Sequence, residues 1–309
     1  MRTLKIPPSL LFIAGIGALL MPALPVRSQS APPAPAPSAP PAPSAPSAQS
    51  APIPDVPTLM KQVLDHQHAL EKIRENYTYR SLTTTDDVDG HGKVTKTETE
   101  ETEVFYVNGH SIERTVKKNG QPLNDHDQQK EQERIAKLVE KAGKTPPDQP
   151  LQGPNESISI HQILDILQVS NPRREMFRGR STILFDFAGR RDAKTHGMAE
   201  GAAKKIAGAI WIDEKDREVV RMEMHFTDNF HVAGGLLANI AKGSAFNFDQ
   251  ALVNGEIWLP TGAEGTIDAR VLLVKGFHQH FTERDWDYKR FHVDAEQEKS
   301  VAVKPDGKS

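Results

Sequence analysis

The sequence predicts an α+β protein built mostly of antiparallel strands, and three observations carry that reading. Short runs rich in Val, Ile, Thr, Tyr, Phe and Trp recur along most of the chain after Tyr77. Turn signals separate them, above all Asn108-Gly109, Asn119-Gly120 and Asn254-Gly255, which suit tight hairpins. Helical spacing of apolar residues is confined to a few stretches that interrupt the strands.

Taken in order, the first helix is predicted over about 56–75. Val56, Leu59, Met60, Val63, Leu64, Leu70 and Ile73 recur near helical spacing, and Pro57 suits a first turn. Strands follow at Tyr77–Thr85, Val94–Val107 and Ser111–Lys118, the second with a Thr-x-Thr and Glu-x-Glu face for solvent. A charged helical insert occupies 125–142, capped by Asn124 or Asp125, with Ile135, Leu138, Val139 and Ala142 on one face. After a Pro-rich loop, Ser159 caps a short helix that the sequence ends near Asn171-Pro172. Strands are then expected at Glu175–Arg180, Thr182–Phe187, Ile206–Ile212, Val219–Phe226, Ser244–Val253, Glu256–Leu259, Thr266–Lys275, Phe277–Arg284 and Trp286–Val293. A short helix at Met198–Lys205 and a brief apolar segment at Leu236–Ile240 interrupt them. In Val219–Phe226, alternation puts Val220, Met222, Met224 and Phe226 on one face.

The chain ends carry a different kind of information. Arg2 and Lys5 precede an apolar run of fourteen residues, Leu10–Ala23, and small residues near Val26–Ser30 offer cleavage positions. That order is a secretory signal, 1–30, and the run is short of the about 20 residues a membrane span needs. An uncleaved anchor is the alternative reading. Residues 31–55 are almost all Ala, Pro and Ser, a composition that buries no core and favours extended polyproline II. It reads either as a spacer or tether, or as a leader without a task. One domain is expected over 56–294, with the helical insert near 124–168 and a charged, disordered tail at 295–309.

Cysteine is absent, which removes disulfides and thiolate chemistry. The net charge is −3, and loss of Arg2, Lys5 and Arg27 with the signal takes it to −6, so nothing draws the mature protein to nucleic acid. A periplasmic or secreted location is expected. No nucleophile elbow, zincin motif, P-loop or dinucleotide fingerprint occurs, and no catalytic residue, cofactor or metal is assigned. His278-Gln279-His280 has the i, i+2 spacing that puts two rings on one strand face, yet two ligands fall short of the usual three or four. His66-Gln67-His68 on a helix diverges by about 200°. Arg174, Arg178 and Arg180 belong to a basic stretch that either receives a phosphate or carboxylate head group or forms a solvated, charge-balanced strand face.

The apolar strand residues Trp211, Met222, Met224, Phe226, Trp258, Leu272 and Phe277 either fill an ordinary core or line an apolar cavity between sheet and helices. Methionine walls adapt to varied apolar shapes.

Four segments together carry a resemblance. They are Gly208-Ala-Ile-Trp211-Ile-Asp213, Val219-Val-Arg-Met-Glu223, Asn254-Gly-Glu-Ile-Trp258-Leu-Pro260 and Tyr288-Lys-Arg-Phe291-His-Val293. The series resembles the LolA/LolB-like and RseB-like periplasmic lipoprotein-carrier group, related to outer-membrane lipoprotein sorting, best over 206–293. The resemblance implies an unclosed half-barrel sheet with helices covering its concave face, whose hollow takes acyl chains or lipid-modified polypeptide. The matched residues are turn and core positions, so no active-site role comes with them. The expectation is a non-catalytic carrier or sensor of a lipid or lipidated polypeptide, with an envelope protein as a further partner. The alternatives are a structural or interaction protein of the envelope and a histidine-dependent metal enzyme.

Overall fold

The computed structural model describes residues 52–147, 149, 151, 159–232, 238–271 and 275–290. The expected export signal, the spacer up to residue 51, the tail and Leu272 lie outside the described residues.

The elements run α1 (Val56–Arg74), β1 (Tyr77–Val88), β2 (Val94–Val107), β3 (His110–Lys118), β4 (Gln121–Pro122), α2 (Asp125–Lys144), α3 (Ile160–Ile166), β5 (Leu167–Phe177) and β6 (Arg180–Gly189). There follow α4 (Met198–Ala203), β7 (Ile206–Asp213), β8 (Val219–Phe226), β9 (Phe230–Val232), β10 (Ala238–Ile240), β11 (Ala245–Val253), β12 (Ile257–Val271) and β13 (Lys275–Arg290). Every strand pairing is antiparallel, in the order β4-β3-β2-β1-β13-β12-β11-β8-β7-β6-β5, with β9 and β10 branching from β12. The path has two free ends, β4 and β5, so the sheet is open. It is the unclosed antiparallel sheet with helices that the sequence predicts.

One long hinge of topology joins the two halves. Strand β13 returns from the end of the chain to pair with β1, Tyr77 lying opposite Arg290 and Val88 opposite His278. Glycines let the middle of the sheet close up. A Cβ on Gly265 would come within 2.8 Å of the Phe281 ring and 2.6 Å of the Phe246 Cβ, so only a bare backbone fits between these two side chains.

The main core lies between the sheet and α1, α3 and α4. Leu59 and Val63 of α1, Ile163, Leu164 and Ile166 of α3, and Ala199, Ala202 and Ala203 of α4 meet Ile183, Phe185, Ile210, Ile212, Met222, Phe226 and Phe281. The alanines of α4 let that short helix sit close to the strands, and Ser159 with Gln162 closes a capping box on α3. Helix α2 packs elsewhere: Ile135, Leu138 and Ala142 cover Phe105, Val107 and Ile112 of β2 and β3. In register, Phe105 pairs with Ile112, whereas the neighbouring Val104 pairs with Tyr79 and Glu113, so α2 lies on the face opposite α1 and α3.

Several local expectations change: the strands expected at 256–259 and 266–275 are the single β12 up to Val271, and those at 277–284 and 286–293 fall in the single β13 up to Arg290. The third helix stops at Ile166, and β5 runs on through Asn171-Pro172, where a bulge between Ser170 and Arg173 absorbs the proline. The strand expected over Glu175–Arg180 is instead broken by a turn, with φ of 49° at Arg178 and 79° at Gly179. Val220 leaves the face of Met222, Met224 and Phe226, because a bulge in the β7–β8 pairing shifts the register between Trp211 and Ile212. Val219 takes its place in the main core, and Val220 joins Leu184, Trp211 and Trp258.

Candidate functional site

Among the described residues, two of the concavities where elements meet bear on function. The inner one lies beneath α3, between that helix and the middle of the sheet, and has a volume of about 100 Å³. Its apolar wall is Ile160 and Ile163 from α3 with Met222, Met224, Phe246, Phe248 and Ala263 from β8, β11 and β12. Its polar wall is Arg74, Tyr79, Tyr106, Glu113, Gln162, Gln250 and Glu283. The strand period produces this mixture. On β13, Phe281, Glu283 and Asp285 alternate onto the inner face, and on β1 their partners Ser81, Thr83 and Thr85 do the same.

The polar wall carries an unusual charge arrangement. Asp285 is 7% exposed and lies opposite Ser81 on β1, and no cation among the described residues pairs with it. Burial pushes its carboxyl up to about 7. Glu113 is likewise pushed up to about 7, by burial first and then by the charge of Glu100. Burial, with Asp285 and Glu113 nearby, holds the Glu283 carboxyl well above the usual range. The Tyr79 and Tyr288 hydroxyls, beside the same carboxyls, are raised chiefly by burial. The wall therefore carries less negative charge near neutrality than its three carboxyls would in water.

The second concavity is an open cleft of about 860 Å³ at the rim, between α1 and the turns that follow β7 and β11. Its floor is a network that joins positions distant in sequence. Gln67, itself fully buried, donates from Nε2 to Oε2 of Glu218, and Arg74 Nη2 donates to Gln67 Oε1 at 3.1 Å. Oε1 of the fully buried Glu218 lies 3.0 Å from His66 Nδ1, and this carboxylate raises the imidazole pKa. The i, i+1 pair on α1 thus grips one carboxylate; the histidine doublet 66/68 does not form a site, and His68 packs on the His161 ring at 4.3 Å.

The sequence-selected residues divide between different surroundings. Met222 and Met224 line the inner cavity, Phe226 is buried in the main core beside Phe230 and Phe246, and Phe277 packs at its edge. Trp211 and Trp258 turn away from them, into a small cluster with Leu184 and Val220 on the other side of the sheet. Trp258 is roofed by Arg180, whose guanidinium lies 5.2 Å from the ring centroid.

The arginines all hold carboxylates. Arg174 forks Glu214 at 2.8 and 2.6 Å, Arg178 reaches Asp249 at 3.2 Å, and Arg180 bridges Asp213 and Asp216, the latter at 2.6 Å. These partners lie outside the basic stretch, whereas Asp186 within it is held by Arg173 at 2.9 Å. His278 and His280 pair separately, with Asp268 and Glu264, the second at 3.1 Å. Among the described residues, no group of three His, Asp or Glu side chains is placed to hold a metal ion. No helix among them is long and apolar enough to cross a membrane.

Sequence reasoning missed the inner carboxyls. The signal was present: Glu283 and Asp285 are acidic residues in phase with Phe281 on a strand whose other face is more polar still. Glu113 stands in β3 among residues that read as solvated, and only the sheet register brings it to the other two.

No protein-family model matches the chain, and no curated protein matches it by sequence. Three solved structures are similar to it. One is described as an outer membrane lipoprotein-sorting protein domain from Vibrio parahaemolyticus, 10% identical, covering 78% of this chain and 98% of its own, with a TM-score of 0.35. Another is a DUF1329 family protein from Desulfovibrio piger, 11% identical, covering 79% and 99%, with a TM-score of 0.31. The third is MucB in complex with MucA(peri), 8% identical, covering 76% and 100%, with a TM-score of 0.22. No residue role or function passes from them to this chain.

Proposed function

We propose that the protein is an exported, non-catalytic carrier or sensor of the cell envelope that takes the apolar part of a lipid or lipidated polypeptide beneath α3. The observation that carries this reading is the unfilled space between α3 and strands β8 and β11, faced by Met222, Met224, Phe246 and Phe248. Close-packed interiors leave few such spaces, and methionine is the side chain that best re-forms around a variable guest. At about 100 Å³ the space is smaller than the roughly 300–1,000 Å³ of small-molecule sites, so an acyl chain enters only as α3 lifts. Burial returns about 0.8 kcal/mol per methylene, so ten methylenes contribute on the order of 8 kcal/mol toward moving a helix of seven residues. The leader at 1–30 and the spacer at 31–55 fit the same reading, as the address and the reach of an envelope protein.

The test is binding of the fluorophore N-phenyl-1-naphthylamine to the purified protein, followed by displacement with fatty acids. Saturable emission that Ala263→Leu abolishes supports the proposal, since Ala263 faces the space and added methyl groups fill it. Emission that stays at the solvent level in the wild type would defeat it.

A further inference from the structure

We infer that the rim cleft is a second binding site, for an amphiphile with an anionic head, which meets Lys215, Arg217 and His66 while its apolar portion lies on Leu70, Leu252 and Trp258. This site is distinct from the space beneath α3 and stands whether or not that space takes a ligand.

At about 860 Å³ the cleft lies in the range of small-molecule sites, and it needs no rearrangement to admit a guest. Three carboxylates line the cleft and each is committed. Asp65 holds Lys61 at 2.6 Å. Asp216 accepts from Arg180 at 2.6 Å and from Trp258 Nε1 at 3.1 Å. Glu256 holds Arg290 at 2.8 Å and accepts from the Tyr77 hydroxyl. The cations are not matched in the same way. Arg180 is spent on Asp213 and Asp216, but Lys215 and Arg217 close no ion pair among the described residues. Arg217 lies near Glu214, which Arg174 already holds by two hydrogen bonds. The two cations stand two residues apart on one turn, and Arg217 is held there in a left-handed conformation with φ of 57°. Its backbone N–H donates to Asp213 O at 3.0 Å, and Asp213 Oδ1 accepts from the N–H groups of Lys215 and Asp216 at 3.0 and 2.7 Å. The turn is therefore a fixed platform for both charges.

His66 completes the head-group end. Its Nδ1 faces the buried Glu218, and when the ring carries a second proton Nε2 is a further donor beside the two cations. Glu218 is fixed in turn by Gln67, so the ring is oriented by a buried network. The remaining wall is apolar. Leu252 is 36% exposed, and Leu70 and Trp258, 5% and 4% exposed, line the cleft from the cores behind. Unpaired cations and an exposed leucine in one cleft match a molecule with an anionic head and a short apolar body.

The experiment is isothermal titration of the full chain with decyl phosphate below its micelle concentration. Inorganic phosphate and decyl maltoside serve as the head-only and neutral-head probes. One-to-one binding of decyl phosphate, tighter than either probe by about tenfold or more, is expected. Lys215→Gln/Arg217→Gln should weaken it by about tenfold, and Leu252→Ser should weaken decyl phosphate but not inorganic phosphate. The remote pair Lys93→Gln/Lys144→Gln removes the same charge from exposed positions and should change it by less than about twofold. Ala263→Leu should leave it intact. The inference is overturned if binding is not saturable, if the remote pair weakens it as much as the cleft pair, or if inorganic phosphate binds as tightly as decyl phosphate. It is equally overturned if Ala263→Leu abolishes binding while the cleft variants bind normally, since the guest would then sit beneath α3. Thermal unfolding of each variant, read beside its titration, separates lost binding from lost folding.

Discussion

The inner face of the sheet behaves as two different solvents. Over β6, β7 and β8 it is hydrocarbon: Ile183, Phe185, Ile210, Ile212 and Val219 are fully buried against helices that offer leucine, isoleucine and alanine in return. Over β1, β2 and β13 the same face offers Tyr79, Tyr106, Ser81, Thr83, Thr102, Glu283 and Asp285. Only Arg74 brings a cation to the cavity wall there. The first half is a core, and its stability comes from removing apolar surface from water. The second half gives up some of that stabilisation to keep polar groups under cover, and it meets the first half at the space beneath α3. On the proposed reading, a ligand with both apolar and polar parts is the guest for this seam.

The contrast can be broken at either half. The largest effect is expected in the hydrocarbon half: Phe185→Ala, at a fully buried site, should cost about 3–5 kcal/mol in urea unfolding, with the midpoint falling at constant slope. The polar half should respond to pH instead. Carboxyls whose folded pKa lies above the unfolded value impose no penalty below about pH 4, where both states are protonated. The penalty grows as pH rises through the folded values, about 7 for Glu113 and Asp285. Stability should therefore fall by a few kcal/mol between about pH 5 and pH 8. Glu283→Gln/Asp285→Asn should flatten that fall, and an unchanged slope would show that these groups are solvated. At the rim, Glu218→Ala leaves Gln67 without its buried acceptor and His66 without its counter-charge, and should cost about 2 kcal/mol. Ser159→Ala removes the cap of α3 and should cost about 1 kcal/mol; a larger ligand off-rate in the same variant would tie that helix to guest release. The smallest effect belongs to Arg173→Ala, whose partner Asp186 is nearly half exposed: within about 0.5 kcal/mol.

How much of this was legible in the sequence follows from how local each feature is. The first helix, the β2 and β8 bounds and the Asn-Gly turns were readable because they rest on spacing and on residues that tolerate positive φ; Asn108, Asn119 and Asn254 all adopt it, at 49°, 49° and 54°. The turn at Arg178-Gly179 was harder to read, since only its glycine carries a conformational signal and the arginine before it carries none. The two bulges were also hidden. One lets Pro172 sit inside β5, and the other turns Val220 from one face to the other, which separates Trp211 and Trp258 from the methionines. The candidate sites were the least legible, because they rest on contacts across long stretches of chain. Gln67 and Glu218 are 151 residues apart, and Glu113 meets Glu283 only through three strand pairings.

The claim on which the functional reading depends is that the seam beneath α3 holds an apolar guest, and native mass spectrometry of protein isolated gently from an expressing cell's envelope fraction tests it most directly. The account predicts a lipid adduct on the wild type that is missing from Ala263→Leu and retained by Lys215→Gln/Arg217→Gln. Wild-type protein with the bare chain mass, or an adduct indifferent to Ala263→Leu, would contradict it.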